Sequence, residues 1–185
     1  MNPKTDLELV EDFRRGDITA YNELVRRYQQ KVYWIGRRIL GTHEDADDVV
    51  QEVFIRVYEN LKNFRAESGF YTWLYRIAMN LSLNTLQKKR IKDFVKYDSI
   101  IDTLEGENSR TDEPALHREY ETLLEKAVES LPAKQRAVFM MRYYDEMSYE
   151  EMAKVLKKSV GGLKANYFHA LKKVQKILRD KYHEL

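Results

Sequence analysis

The sequence predicts an all-α protein, with two small helical domains joined by a flexible acidic linker. Three observations favour this fold class. Only 7 Gly and 3 Pro interrupt the 185 residues, fewer breaks than a sheet protein dense with turns requires. Apolar residues recur at helical spacing in both halves of the chain, without a strand pattern. Between the halves, residues 94–113 lose that spacing and carry many acidic side chains, which is typical of a solvated spacer.

Composition limits the classes of protein that remain. A hydrophobic content of 43% is enough for packed cores, and a net charge of +2 gives no global positive field, so charge has to be read locally. The chain has 0 Cys, which excludes thiolate metal sites and disulfides and fits a reducing cytosol. The sequence shows no signal peptide and no apolar run near the roughly 20 residues of a membrane helix. We therefore expect a cytoplasmic protein without membrane insertion.

The first half of the chain predicts four helices, from their capping residues, apolar stripes and terminal glycines. Thr5-Asp-Leu-Glu8 has the spacing of a capping box. Gly41 fits the end of the second helix, and Thr42 fits the cap of the third. The predicted helices run from Thr5 to Gly16, from about Asp17 to Leu40, from Thr42 to about Leu61, and from Phe70 into the basic stretch of Lys88, Lys89, Arg90 and Lys92, with a loop over 63–69.

The second half predicts a further helix and then a helix-turn-helix. Pro114 fits the first position of a helix capped by Asp112 or Glu113, and another helix begins after Leu131-Pro132. Ser148-Tyr-Glu-Glu151 is a second capping box, and Ser159 caps a final, lysine-rich helix. In DNA-binding proteins the second helix of such a pair enters the major groove. On this pattern alone, a plain helical hairpin with solvated lysines is an equally good interpretation.

Residues 63–80 interleave aromatic side chains with arginine and asparagine. Aromatic faces stack on unpaired bases, each stack contributing roughly 1–3 kcal/mol, so the segment favours single-stranded DNA. Phe70 and Trp73 share a face with aliphatic residues, and we interpret them as core. Phe64 lies in the loop, outside the apolar stripe, where a packed core has little reason to place an aromatic, although its ring could still fasten the loop to Val57 or Leu61. The side chains expected to contact DNA are Phe64, Tyr71, Arg76 and Asn80.

Three motifs resemble, in order, those of the extracytoplasmic-function (ECF) branch of bacterial sigma factors. Asp47-Asp-Val-Val-Gln-Glu-Val-Phe-Ile-Arg-Val-Tyr58 is similar to the helix that binds RNA polymerase in this family. Residues 63–80 resemble the promoter-melting segment, and 131–136 with 144–173 resemble the domain that reads the minus-thirty-five element. The resemblance covers almost the whole chain. It implies sigma region 2 over 1–93, a linker over 94–113, and sigma region 4, with the helix-turn-helix, over 114–185.

The resemblance implies an alternative sigma factor that binds core RNA polymerase, directs it to specific promoters and melts the minus-ten element. The loop from Asn63 to Ser68 would hold a base flipped from the non-template strand. The implied partners are core RNA polymerase, promoter DNA as duplex and as melted strand, and a separate anti-sigma factor. We expect no enzyme activity, no catalytic residue, no metal and no cofactor.

The site residues that the resemblance implies form three groups. The minus-ten DNA contacts are Asn63, Phe64, Arg65, Ser68, Tyr71, Arg76 and Asn80. The minus-thirty-five DNA contacts are Arg142, Lys164, Ala165, Asn166, Phe168, His169 and Lys172. The core-polymerase contacts are Asp45, Asp48, Gln51, Glu52 and Arg56. Without the resemblance, the last group would be interpreted as an ordinary charged helix surface.

The start of the last helix departs from the family pattern. Family members usually carry Gly-Thr, then Val, a basic residue, Ser and Arg, whereas this chain has Gly161-Gly162-Leu163-Lys164-Ala165-Asn166. Gly162 and Ala165 replace hydroxyl residues that touch phosphates, and His169 stands where Arg is common. We therefore expect a weaker phosphate grip and an altered DNA sequence preference.

Three other functions share parts of this pattern. A response-regulator output domain has the helix-turn-helix but no need of the aromatic segment 63–80. A helical hydrolase would need a His-Glu-x-x-His, phosphate-loop or Gly-x-Ser-x-Gly motif, and the sequence has none of them. Its four histidines, 43, 117, 169 and 183, are widely spaced. A polymerase-binding module that never contacts DNA is separated from a sigma factor by promoter-dependent transcription with core polymerase.

Overall fold

The structure, a computed structural model, describes residues 3–96 and 115–182, and for 90–96, 115–118 and 182 it describes the backbone only. The described residues form helices and connecting turns, with no strand among them, which confirms the predicted all-α class. The helices are α1 (Asp6–Arg14), α2 (Ile18–Leu40), α3 (His43–Asn60), α4 (Phe70–Lys96), α5 (Ala115–Glu129), α6 (Ala133–Tyr143), α7 (Tyr149–Leu156) and α8 (Val160–Tyr182), with a 3₁₀ turn at Leu61–Asn63.

The chain forms two compact units, Met1–Asn84 and Thr85–Leu185, in agreement with the predicted pair of domains. The predicted linker, 94–113, lies outside the described residues except for its first three positions, which continue α4 to Lys96. The predicted cap of α5 at Asp112, Glu113 or Pro114 also lies outside them. The domain bounds at 93 and 114 therefore remain predictions.

In the N-terminal unit, helix ends form where the capping residues predict them. Thr5 Oγ1 accepts the backbone N–H of Glu8 at 3.3 Å, and the Glu8 carboxylate accepts the N–H of Thr5 at 2.7 Å, which completes the capping box. Asp17 caps α2 through the N–H of Thr19 at 2.9 Å. Gly41 ends α2 with φ +90°, a left-handed conformation that glycine adopts without strain.

The core of this unit depends on a close approach of α2 and α3. A Cβ added at Gly36 would lie 3.2 Å from Ala46 Cα and 3.3 Å from Val49 Cβ, so the glycine leaves the space that α3 occupies. Val32, Val53 and other aliphatic side chains from these helices are fully buried. The apolar side of α3 packs against α2, and the polar side of α3 remains exposed.

In the C-terminal unit, α6, α7 and α8 form the predicted helix-turn-helix with its supporting helix, and α5 packs against α6 and α8. Ser148 Oγ accepts the N–H of Glu151 at 3.2 Å, and the Glu151 carboxylate accepts the N–H of Ser148 at 2.8 Å. Ser159 Oγ accepts the N–H of Gly162 at 3.2 Å at the start of α8. Both predicted caps are confirmed, and they set where α7 and α8 begin.

Within the described ranges, no helix is long and apolar enough to span a membrane.

Candidate nucleic-acid interface

Phe64 anchors the loop that precedes α4. It is 5% exposed, and its ring centroid lies 5.1 Å from that of Trp73 and 6.0 Å from that of Phe70. The expectation that Phe64 lies outside the packed core is therefore wrong, because burying a large ring outweighs the polar character of the surrounding loop. A buried ring has no face to offer to a base, so in this structure Phe64 positions the loop. Phe70 is 2% exposed, as predicted for a core residue, and Trp73 is half-buried.

The neighbours of Phe64 in the loop point outward. Asn63 and Arg65 are exposed, and Ser68 is half-buried. Arg65 lies 4.0 Å from Glu67 with both side chains at least 80% exposed, a pair that contributes little to stability and leaves the guanidinium accessible. The loop thus places one aromatic inside and several polar side chains outside.

A cavity of about 570 Å³ lies between this loop and α1. It is lined by Leu7, Val10, Glu11 and Arg14 of α1, and by Lys62, Asn63, Phe64, Arg65 and Ala66 of the turn and loop. Sequence reasoning assigned nothing beyond its helix to α1 and missed this wall of the cavity, since no local pattern joins α1 to a loop about 50 residues later.

Tyr71, at the start of α4, lies in an aromatic and cationic cluster with α2. Its ring stacks on Tyr28 with centroids 5.6 Å apart and 19° between the planes, and Lys31 Nζ lies 4.9 Å from the Tyr71 centroid. The Tyr28 hydroxyl donates a hydrogen bond to the Asp6 carboxylate. Burial is the largest cause that raises the pKa of the Tyr28 phenol above its ordinary value, and this hydrogen bond is the second. Lys31, an exposed cation beside a predicted DNA contact, is not among the site residues that the sequence predicts.

Arg76 and Asn80 lie one turn apart further along α4. Asn80 is exposed and Arg76 is half-buried. Side chains at i and i+4 share one side of a helix, so a single strand that follows α4 can meet both. The exposed loop residues and this face of α4 belong to the same unit of the fold.

The exposed side of α8 presents cations beside aromatic rings. Lys172 Nζ lies 4.5 Å from the centroid of Phe168, whose surface is 53% exposed, and Lys164 Nζ lies 5.6 Å from the ring of Tyr149. Ala165 and His169 are also exposed. This pattern suits a helix that meets phosphates through lysines and base edges through smaller groups.

Two predicted minus-thirty-five contacts also make bonds within the chain. Arg142 donates to the carbonyls of Glu146 and Met147 at 3.3 and 3.1 Å, across the turn that joins α6 to α7. Asn166 Nδ2 donates to the carbonyl of Gly162 at 2.7 Å. One of the two N–H donors of the Asn166 amide is thus used within α8, and the other N–H and Oδ1 make no bond to Gly162.

The predicted polymerase-binding residues divide by exposure. Asp48, Gln51 and Arg56 are exposed, and Glu52 is half-buried and bonds Arg56 at 2.8 Å as an i,i+4 pair. Asp45 differs, since it is 9% exposed and bonds Thr42 in the first turn of α3. The structure thus gives Asp45 a capping contact that the sequence interpretation did not include.

In the part of the chain that the structure describes, no group of three or more His, Asp or Glu side chains is placed to hold a metal ion.

Both units of the chain are similar in sequence to known proteins. Residues 24–91 match the family described as Sigma-70 region 2, and residues 121–174 match Sigma-70, region 4. The chain is 38% identical over 191 residues to the ECF RNA polymerase sigma-E factor of Escherichia coli, covering 95% of this chain and 97% of the relative. It is 34% identical over 186 residues to the RNA polymerase sigma-H factor of Pseudomonas aeruginosa, covering 97% and 96%.

Two solved structures share the fold. One is CnrH in complex with the cytosolic domain of CnrY, with a TM-score of 0.70, 21% identity, and 96% and 99% of the two chains covered. The other is the sigma factor RpoE of Bartonella quintana in complex with the anti-sigma factor NepR, with a TM-score of 0.69, 18% identity, and 86% and 96% covered. Sequence identity over nearly the full length, with both regions matched in order, decides the family. The chain therefore belongs to the extracytoplasmic-function family of RNA polymerase sigma factors.

Proposed function

We propose that this chain binds core RNA polymerase, directs it to promoters and melts their minus-ten DNA. The observation that carries the proposal is that one unit holds both a cavity lined by Asn63 and Arg65, at loop 62–66, and the exposed side chain of Asn80 on α4. A flipped base needs a recess, and its strand needs polar and cationic contacts on either side. Family membership supports the same function.

The three surfaces have separate chemistries. We assign the loop and α4 to the single strand, the lysine-bearing side of α8 to the minus-thirty-five duplex, and the polar side of α3 to polymerase. Phe64 and Asp45 act in this assignment through the positions of their neighbours, since both are buried. The remaining predicted contacts keep their roles within the proposal.

The assignment of α4 is tested by replacing Asn80 with Ala in the full chain and forming holoenzyme with core polymerase. Asn22, an exposed asparagine on α2, provides the matched control, Asn22→Ala. Permanganate reactivity of minus-ten thymines should fall for Asn80→Ala on a fully paired promoter and remain normal for the control. A template with the minus-ten region already unpaired then separates melting from strand binding, because only a melting defect is rescued.

Normal permanganate reactivity of Asn80→Ala on the paired promoter would remove this residue from the site. Failure of wild-type holoenzyme to initiate at any promoter, with core binding intact, would favour a polymerase-binding module over a sigma factor.

We further propose that the protein is cytoplasmic, has no enzymatic activity, and is held inactive by a separate anti-sigma protein. A sigma factor of the same fold has been solved in complex with an anti-sigma factor, which supports such a partner here. The purified chain should then activate core polymerase without further treatment. If it is inactive until residues 98–113 are removed, inhibition by its own linker is the better explanation.

A further inference from the structure

Helix α1 lies outside the segment that matches Sigma-70 region 2, which begins at residue 24, yet its last turn is bonded to the loop of the proposed site. Arg14 Nε donates to the carbonyl of Lys62 at 3.2 Å, and Arg14 Nη2 donates to the carbonyl of Phe64. Nη1 pairs with Glu11, one turn earlier on α1. One guanidinium thus joins α1 to two carbonyls on the rim of the cavity.

The three contacts of Arg14 depend on its guanidinium group, which lysine lacks. A planar guanidinium presents its N–H donors in a fixed fork, so it can hold two carbonyls and a carboxylate in one arrangement. The Arg14 side chain is 32% exposed, so its bonds are partly shielded from water. Glu11, whose side chain is 58% exposed, pairs with Nη1 of the same guanidinium from the side of α1.

The loop needs such a restraint. Ala66 has φ +54°, a left-handed conformation that strains a residue with a Cβ and persists only when its surroundings hold it. The neighbouring restraints are the buried ring of Phe64, the bond from the Phe64 N–H to the Leu61 carbonyl at 3.2 Å, and the two carbonyl bonds from Arg14. The Arg14 bonds tie this stretch to α1, so we expect their loss to let residues 62–66 shift and to change the shape of the cavity.

We propose that Arg14 is a positioning residue for the nucleotide pocket, holding the main chain at 62–64 so that the cavity between α1 and the loop exists before DNA arrives. The inference rests on the proposed function and adds α1 to the site. A preformed pocket binds its base more tightly because the loop does not have to be ordered at the moment of binding.

The test is a double-mutant cycle that combines a substitution in the protein with the removal of one base from the DNA. Wild-type holoenzyme first enriches a single-stranded decamer from a random pool, and an abasic scan of that decamer then finds the position whose base contributes most to affinity. Binding of the intact and abasic decamers is measured by fluorescence polarisation for wild type, Arg14→Gln, Arg14→Lys and Arg15→Gln. Arg15, which follows α1 directly, is the matched control, since its side chain is 74% exposed and pairs with Asp12 of α1.

Arg14→Gln should lose roughly tenfold in affinity for the intact decamer, as when about 1.4 kcal/mol of preorganisation disappears. It should match wild type on the abasic decamer, where no base uses the pocket. Arg14→Lys keeps the charge and loses the guanidinium donors, so its affinity for the intact decamer should lie between those of wild type and Arg14→Gln. Arg15→Gln should bind both decamers as wild type does. Because the role is positional, the salt dependence of Arg14→Gln should keep the wild-type slope.

Equal losses on intact and abasic decamers would overturn the proposal, since they indicate a general defect or a phosphate contact. A phosphate contact would also reduce the salt slope by about 0.7. Wild-type affinity of both Arg14 variants on the intact decamer would overturn it as well. If wild type itself shows no position where a missing base matters, the proposed pocket function fails, and this inference fails with it. Circular dichroism of each variant shows whether a loss comes from unfolding.

Discussion

Phe64→Ala should unfold the N-terminal unit more readily, although the residue lies in a short polar loop. The ring is 5% exposed and contacts Phe70 and Trp73 at centroid distances of 6.0 and 5.1 Å. Truncation of a buried Phe to Ala costs about 3–5 kcal/mol, from lost transfer free energy and the cavity left behind. We expect a loss in this range in the free energy of unfolding.

Phe64→Leu separates burial from ring geometry. Leucine keeps most of the apolar volume and loses the two ring–ring contacts, each worth about 0.5–1.5 kcal/mol. The leucine variant should therefore lose about 1–3 kcal/mol and keep the loop in place. Asn80→Ala, at an exposed position, should change the free energy of unfolding by less than about 0.5 kcal/mol.

Urea denaturation followed by tryptophan fluorescence measures these losses in the unit concerned, because both Trp residues, Trp34 and Trp73, belong to it. Phe168→Ala is the matched control, since that ring is 53% exposed and lies in the other unit. It should leave the fluorescence transition unchanged. A Phe64→Ala transition within 1 kcal/mol of wild type would refute the assignment of Phe64 to the core.

Three further predictions concern the capping box, the last helix and the linker. Hydrogen bonds from the backbone and hydroxyl of the cap hold the pKa of Glu151 below its ordinary value, so its contribution is present above about pH 4.5 and lost as pH falls further. Glu151→Gln should thus weaken hydrogen-exchange protection in α7 by about 0.5 kcal/mol at pH 7, and this loss should shrink as the pH falls below about 4.5. Glu150→Gln should show a smaller loss, because the capping-box bonds are made by Glu151. Lys172→Ala should reduce the salt slope of duplex binding by about one, whereas Asn166→Ala should relax preference at one base pair at an unchanged slope. Limited proteolysis should cut first within 98–113, and first cuts inside 71–80 would contradict the predicted linker.

Local chemistry explains why most helix ends were predictable. The caps at Thr5, Asp17, Thr42 and Ser148 bond N–H groups within two or three residues, so the sequence contains both partners. The end of α4 was less predictable, because the helix continues to Lys96 through a basic stretch with little amphipathic pattern, and the linker bounds stay a prediction. Such a stretch gives no signal for where a helix ends.

The candidate site was predictable only along single helices. Arg76 and Asn80 share a face of α4 by spacing alone, and the lysines of α8 follow the same periodicity. The cavity wall was not predictable, since the bonds of Arg14 join residues 48 and 50 positions apart. The stack of Tyr28 on Tyr71 likewise depends on how α2 packs against α4. Tertiary contacts of this kind leave no mark in a local pattern.

The loop before α4 shows why composition misled at Phe64. A nucleotide pocket in a loop requires a fixed main chain, and a strained Ala66 makes that requirement harder to meet. A buried aromatic is an effective anchor, because one side chain removes a large apolar area from water. Aromatic enrichment near single-stranded DNA therefore has two origins, rings that stack on bases and rings that hold the stacking surface in place. Phe64→Leu distinguishes them: if strand binding survives in the leucine variant, Phe64 acts from inside the fold, and if binding falls while stability holds, its ring reaches DNA after a rearrangement.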